Sequence, residues 1–293
     1  DGIRDLVRSR GLGDVYKRQP IYGPGKAVFP SIFHSISAFC NAGFSLNANS
    51  LEDFKGDFVI ITVVSLLIVI GGLGFVVVSE LMQFKEFLKD KRRFFNKISL
   101  QSKLVLSMTL VLIFGSAILF FLMEMNNVLY GLDIKEKILV TLFQVITPRT
   151  AGFNVIPVDN LNTSTLLLTK VLMFIGGSPG STAGGIKTTT FFLLILLVLS
   201  MWRDRPNVEI HNKTIPSYII KRVVVISFLA VIWIFTATIL LLLTEKGINF
   251  TDSFNHGYFS QILFEELSAF GTVGLSTGIT PNLTLFGKVI ILF

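Results

Sequence analysis

The sequence predicts an all-α integral membrane protein assembled from repeated units, each a membrane span, a short re-entrant helix, a glycine-centred loop and a second span. Three observations predict it. Hydrophobic residues make up 51% of the chain, charged residues only 15%, and the mean hydropathy is +0.68, which is far from the make-up of a soluble domain. A short apolar run ending in a small-polar, small, glycine, apolar tetrad occurs three times, in SAFCNAGFSL from Ser37, VITPRTAGFNVI from Val145 and SAFGTVGLS from Ser268. The tetrads lie 109 and 122 residues apart, room for two membrane-crossing helices and their connections.

Aligned on their glycines, the tetrads are Asn41-Ala42-Gly43-Phe44, Thr150-Ala151-Gly152-Phe153 and Thr272-Val273-Gly274-Leu275. A loop that turns its carbonyls toward a shared axis must visit positive φ, which glycine does without a Cβ penalty. Rings of such carbonyls replace the water shell of a dehydrated potassium ion. Thr272-Val273-Gly274 matches the start of the potassium-channel filter sequence TVGYG. One TVG triplet is weak; three aligned copies, each entered from an apolar run, are specific. The twelve residues are therefore read as filter segments, against the alternative of ordinary glycine turns between membrane helices.

Residues 1–19, DGIRDLVRSRGLGDVYKRQ, are charged and have no apolar run. They resemble a translated sequencing-adaptor scar and are set aside as a non-native leader, the remainder being expected to be part of a longer protein. Pro30 to Phe39 makes a short apolar helix, too short to span. His34 on it and Cys40 just after it are read as packed residues, and a single cysteine excludes an internal disulfide.

Phe58 to Ser79 is 22 uncharged residues, enough at ~1.5 Å per residue to cross the ~30 Å hydrocarbon core. Gly71, Gly72 and Gly74 within it admit a neighbouring backbone. The connector that follows holds Lys85, Lys89, Lys91, Arg92, Arg93, Lys97 and Lys103 against Glu86 and Asp90, so it is cytoplasmic. Leu104 to Met123 runs outward, and Glu136 to Ile146 re-enters as the second short helix. Arg149, directly before its tetrad, has two open roles: a salt bridge to an outer carboxylate, or control of cation access.

Ser164 to Trp202 is 39 residues, a helix of ~58 Å if unbroken. Its centre, Gly176-Gly177-Ser178-Pro179-Gly180-Ser181-Thr182-Ala183-Gly184-Gly185, cannot continue a helix. Two half-helices joined by an intramembrane loop are predicted, tolerated only where the loop is buried in protein or lines a watery path. The loop is read as a gate, with Lys187 holding it by pairing or repelling cations. Arg203, Arg205, Lys213, Lys221 and Arg222 mark a second cytoplasmic connector. Val223 to Leu243 runs outward, Phe259 to Phe270 re-enters, and Leu283 to Phe293 begins another span. Glu265 and Glu266 lie on the third short helix, where carboxylates default to function. They either attract cations or anchor the filter, the anchoring role falling to Glu266.

The net charge of +7 is accounted for by membrane orientation, so no nucleic-acid partner is expected. The loop GGSPGSTAGGIKT looks superficially like a phosphate cradle, which would make the protein a membrane-embedded nucleotide-binding enzyme. That motif needs glycine directly before its lysine, and Ile186 intervenes. No enzyme activity, metal site or cofactor is expected.

Taken together, the three tetrads and the GGSPGSTAGGIKT loop closely resemble the Trk/Ktr/HKT superfamily of potassium transporters, particularly the KtrB-like membrane subunits. The resemblance covers roughly residues 20–293. It implies four span-pore-span repeats around a pseudo-fourfold pore, with 20–95 carrying the pore helix, filter and second span of repeat 2, 96–205 repeat 3, and 206–293 repeat 4, truncated in its last span. It further implies potassium as the substrate, sodium as a candidate coupling ion, a filter built from the three tetrads, and a gate at Gly176 to Lys187. Finally, it implies a homodimer in the cytoplasmic membrane with a cytosolic, nucleotide-binding regulatory subunit on its inner face.

Overall fold

Backbone groups in a bilayer have no water to bond, so an apolar chain satisfies them inside helices. The computed structural model describes residues 28–82, 98–205, 207–210, 213–245 and 257–292. Its helices are α1 (Val28–Phe39), α2 (Phe58–Leu73), α3 (Phe75–Leu81), α4 (Leu100–Glu124), α5 (Ile134–Ile146), α6 (Thr163–Phe174), α7 (Thr188–Trp202), α8 (Ser217–Thr244), α9 (Tyr258–Phe270) and α10 (Leu285–Leu292). An antiparallel pair, β1 (Glu209–Ile210) and β2 (Lys213–Thr214), joins α7 to α8. Those four residues were not expected and leave the class unchanged. The basic stretch 83–97 and residues 1–19, expected to be a leader, lie outside the described residues.

α4 and α8, at 25 and 28 residues, are each long and apolar enough to cross a membrane. Large apolar side chains such as Phe114, Ile118, Leu229 and Phe235 stay exposed on them, the pattern of a helix solvated by lipid. α1, α5 and α9 have 12, 13 and 13 residues, too few to span, and each ends at a tetrad. The main core gathers around α5 and its tetrad, where Phe143, Val145, Ala151 and Phe153 are buried with Phe264 and Val273.

The expected single span from Phe58 to Ser79 is corrected. α2 and α3 meet at Gly74 with a bend of 111°. Gly74 takes φ 89° and ψ 150°, a conformation open to glycine, and the site of a Cβ there lies 2.5 Å from Pro179 O. The broken ladder finds new partners in the 176–187 loop: Phe75 N donates to Gly180 O (3.0 Å), and Ser178 N donates to Gly72 O (3.0 Å). Hydropathy runs unbroken through this stretch, so length alone suggested one span.

The second break is where the sequence predicts it. α6 and α7 are separated by a loop whose base is closed by Gly176 N to Ile186 O (2.9 Å), Ile186 N to Phe174 O (3.2 Å) and Thr188 N to Gly177 O (3.0 Å). The backbone groups of the base are thus paired although they lie between apolar half-helices.

One capping device occurs twice at the C-terminal ends of the long helices. Glu124 is fully buried; its Oε1 accepts from Asn162 N (2.8 Å) at the start of α6, and its Oε2 accepts from Asn127 Nδ2 (2.7 Å). Glu245, 121 residues later, accepts from Thr284 N (3.0 Å) and Thr284 Oγ1 (2.6 Å) before α10. Replacing Glu124 with Ala would take the acceptor from the part-buried Asn162 N–H and leave the Asn127 amide with Asn160 O alone. Charge-assisted bonds carry about 1.5–3 kcal/mol each, so Glu124→Ala is expected to lower the melting temperature of the detergent-solubilised protein. Glu124→Gln, which keeps one acceptor, should lower it less.

Candidate functional site

The three tetrads share an unusual backbone. Positive φ occurs at the first and third position of each: Asn41 (50°) and Gly43 (72°), Thr150 (76°) and Gly152 (74°), Thr272 (51°) and Gly274 (86°). In an extended strand with φ of one sign, successive carbonyls alternate sides; switching the sign at every other residue turns them to one side. Non-glycine residues at positive φ are strained. The same strain at Asn41, Thr150 and Thr272 therefore marks a common requirement.

The tetrads also converge. A Cβ built on Gly152 would sit 2.3 Å from Val273 O, 3.0 Å from Gly43 Cα and 3.4 Å from Gly274 Cα. One on Gly43 would sit 2.9 Å from Ala151 O and 3.4 Å from Val273 O. Segments more than a hundred residues apart thus meet at their glycines, with carbonyls of Ala151 and Val273 turned into the shared space. Only side chains of zero size leave that space to the backbone.

Each tetrad is pinned by a hydroxyl near the end of its short helix. Ser37 Oγ donates to Phe44 O (2.9 Å), Thr147 Oγ1 to Phe153 O (2.5 Å) and Ser268 Oγ to Leu275 O (2.6 Å). The fourth carbonyl of every tetrad is fixed this way. Phe153 and Leu275 are buried, whereas Phe44 is 69% exposed. Asn41 is buried, and the hydrogen-bond pattern around its amide assigns the nitrogen to the side of Ile68 O and Ala38 O.

In two of the three copies the residue nine places before the glycine supports the chain leaving the tetrad. In the third copy it is Glu265: Oε1 accepts from Ser276 Oγ (2.9 Å), Thr277 N (2.8 Å) and Thr277 Oγ1 (2.9 Å), and Oε2 accepts from Thr280 Oγ1 (2.6 Å). This corrects the expectation for Glu266, which is buried and whose Oε2 has no hydrogen-bond partner among the described residues. Neighbours on a helix point ~100° apart, and only Glu265 faces the returning loop. His34 holds the equivalent place in the first copy, its Nε2 within reach of Ser45 Oγ (3.1 Å) and Leu46 N (3.3 Å). The second copy has Phe143 there, and its exit is tied across to the first: Asn154 Nδ2 donates to Glu52 Oε1 (2.6 Å). Burial pushes the Glu52 carboxyl above its usual range, against the opposing pull of Asn154.

Among the described residues Arg149 makes no bond to a carboxylate. Its side chain is buried and Nη2 donates to Thr109 Oγ1 (3.3 Å) on α4, because the long side chain turns toward the neighbouring span. Lys170, which the sequence reading passed over, is buried on α6 and donates to Ser260 Oγ (2.6 Å) on α9. A lysine inside an apolar helix was the available signal.

The 176–187 loop packs between the third tetrad and the α2–α3 break. A Cβ on Gly184 would meet Thr272 Oγ1 at 2.2 Å and Gly271 O at 2.6 Å, so the loop abuts the entry of the third tetrad. Its other side meets the α2–α3 break. Lys187 Nζ donates to Ala183 O (2.5 Å), holding the loop to itself, and Ser178 and Thr188 hydroxyls bond each other (3.1 Å).

A sequence model of the TrkH family, described as cation transport protein, matches residues 14–293. The chain belongs to the TrkH family. Among relatives of this TrkH-family chain, the potassium/sodium uptake protein NtpJ of Enterococcus hirae is 39% identical over 274 residues, covering 93% of this chain and 58% of that protein. The Ktr system potassium uptake protein B of Bacillus subtilis is 38% identical with the same coverage. The crystal structure of the potassium transporter TrkH from Vibrio parahaemolyticus has the same fold, with a TM-score of 0.61 at 18% identity, over 88% of this chain and 59% of that one. The TrkH-family chain therefore spans somewhat over half the length of these relatives. It is a multi-pass integral membrane protein of a transport family, not an enzyme.

Proposed function

We propose that this chain forms most of a potassium-uptake pathway across the cytoplasmic membrane, with the three tetrads as filter segments. The observation that carries this reading is the alternation of positive φ in three tetrads that meet at their glycines. It supports carbonyl coordination of a dehydrated monovalent cation. The names of the Enterococcus and Bacillus relatives, potassium/sodium and potassium uptake proteins, favour potassium as cargo and keep sodium as the candidate coupling ion. The loop from Gly176 to Lys187 is the gate: it abuts the entry of the third tetrad, and its small residues swing aside with little steric resistance. The working assembly is a homodimer bearing a cytosolic nucleotide-binding regulatory subunit at the basic connectors. A nucleotide site in the loop itself is not retained, since Lys187 is turned back on Ala183.

The test is potassium-limited growth of a transport-deficient bacterial strain carrying the protein to which this chain belongs, over a range of potassium and sodium. Rescue at low potassium is expected, weakened or made sodium-permeable by Gly274→Ser. Removing part of Ser178–Ala183 should raise cation flux. No rescue from well-expressed protein, with Gly274→Ser indistinguishable from it, would return the glycines to a packing role.

A further inference from the structure

The α2–α3 break meets the gating loop through main-chain groups, and its geometry is built for that meeting. Four positions within five residues divide the work. Gly71 brings α2 against the end of α1, where a Cβ would lie 1.9 Å from Phe39 O. Gly72 O accepts from Ser178 N, Gly74 makes the 111° turn with Pro179 O close against its Cα, and Phe75 N donates to Gly180 O. The same short stretch thus backs the first tetrad on one side and seats the loop on the other. α3 then leads straight into the basic connector, and its Glu80 Oε2 accepts from Ser99 N (2.9 Å), the cap of α4.

From this geometry we propose that the α2–α3 break is the latch of the gate: the loop is closed because residues 72–75 hold it, and displacement of α3 from the cytoplasmic side releases it. The proposal rests on the gate reading above and adds the element that controls it. A loop whose base is already closed on itself, through Gly176, Gly177 and Ile186, keeps its shape when its tip lets go. Opening then needs only the two tip bonds to the break to part. The two bonds join different units of the chain, so a push on α3 changes the loop's seat without unfolding either half-helix.

Phe75 allows a clean test. It is the first residue of α3, where an N–H has no helical partner and proline fits. The preceding Gly74 has ψ 150°, as a residue before proline requires, and the Phe75 ring is 79% exposed. Phe75→Pro therefore deletes the bond to Gly180 O and sets the ring Cδ where the N–H pointed, which pushes the loop tip off its seat, while Phe75→Ala keeps the bond. In the full protein, rubidium uptake normalised to membrane abundance is expected to rise about two- to tenfold in Phe75→Pro, the factor one net hydrogen bond carries, and to stay at the parent level in Phe75→Ala. A loop-shortened variant lacking part of Ser178–Ala183 is run beside them. If shortening raises uptake and Phe75→Pro does not, the latch is wrong and the gate stands; if neither raises it, the gate reading fails and takes the latch with it. Should Phe75→Pro be missing from the membrane, Phe75→Cys with Gly180→Cys in a Cys40→Ala background carries the test. Oxidation should lower uptake and reductant restore it. A crosslink without effect on uptake, or no crosslink at all, overturns the proposal.

Discussion

Gly152→Ala is expected to abolish potassium-dependent rescue, and Gly274→Ala to cause the smaller loss. Both residues hold the third place of a tetrad at positive φ, 74° and 86°, so both variants carry the strain of a side chain in the left-handed region, of order 1–3 kcal/mol. Their surroundings differ. The new methyl at 152 would stand 2.3 Å from Val273 O and 3.0 Å from Gly43 Cα, whereas at 274 the nearest atom is Gly152 Cα at 3.7 Å. The first contact is with backbone on two other segments and cannot be relieved by turning a rotamer. Val273 O must move, and it is a carbonyl proposed to face the ion. Each ~1.4 kcal/mol is a factor of ten, so uptake by Gly152→Ala should fall at least about tenfold below that of Gly274→Ala at equal abundance. Equal uptake by the two variants would mean that the glycines do not converge around the pathway.

Glu265→Ala should reduce potassium uptake and narrow the preference for potassium over sodium, while Glu266→Ala has the lesser effect on that preference. The Glu265 carboxylate accepts four bonds from Ser276, Thr277 and Thr280. Removing it strands the Thr277 N–H in a buried loop and leaves the bond of Ser268 to Leu275 O to fix the end of the tetrad without support from the chain that follows. A charge-assisted bond is worth about 1.5–3 kcal/mol, so the loss of several should outweigh the gain in loop freedom and lower uptake about tenfold or more. Glu265→Gln replaces two acceptor positions with a donor that faces a hydroxyl able to rotate, and should fall between. The measurement is rubidium uptake and its inhibition by sodium for the three variants. A Glu266→Ala variant that loses more selectivity than Glu265→Ala would return the anchoring role to Glu266.

What could be read from the residues alone follows their physical signals. Gly43, Gly152 and Gly274 stood out because glycine is cheap only where a backbone needs it, and the five glycines and one proline between Gly176 and Gly185 forbade a helix. The alternate strain at Asn41, Thr150 and Thr272 was invisible, since any of these residues also sits comfortably in ordinary turns. The break at Gly74, unlike the close approach of another backbone there, hid for a different reason. Its stretch is uniformly apolar and of spanning length, and the partner that breaks it lies a hundred residues away. Glu265 was confused with Glu266 because a one-residue step changes helical phase by ~100° without changing composition. Glu124 and Glu245 carried a usable clue, an acid ending each long apolar run 121 residues apart, which a search confined to glycine tetrads passes over.

The closed base and the two tip bonds of the 176–187 loop also bear on how such a loop parts from its seat. While seated, Ser178 N and Phe75 N are satisfied by carbonyls of the opposite segment. Once separated, each of those groups must meet a solvent molecule or remain bare among apolar half-helices, at several kcal/mol per group. Withdrawal of the loop and hydration of the cavity are therefore one event. The position of the gate becomes a function of the chemical potential of water, and a concentrated, dehydrating solution favours the seated state even when nothing touches the filter.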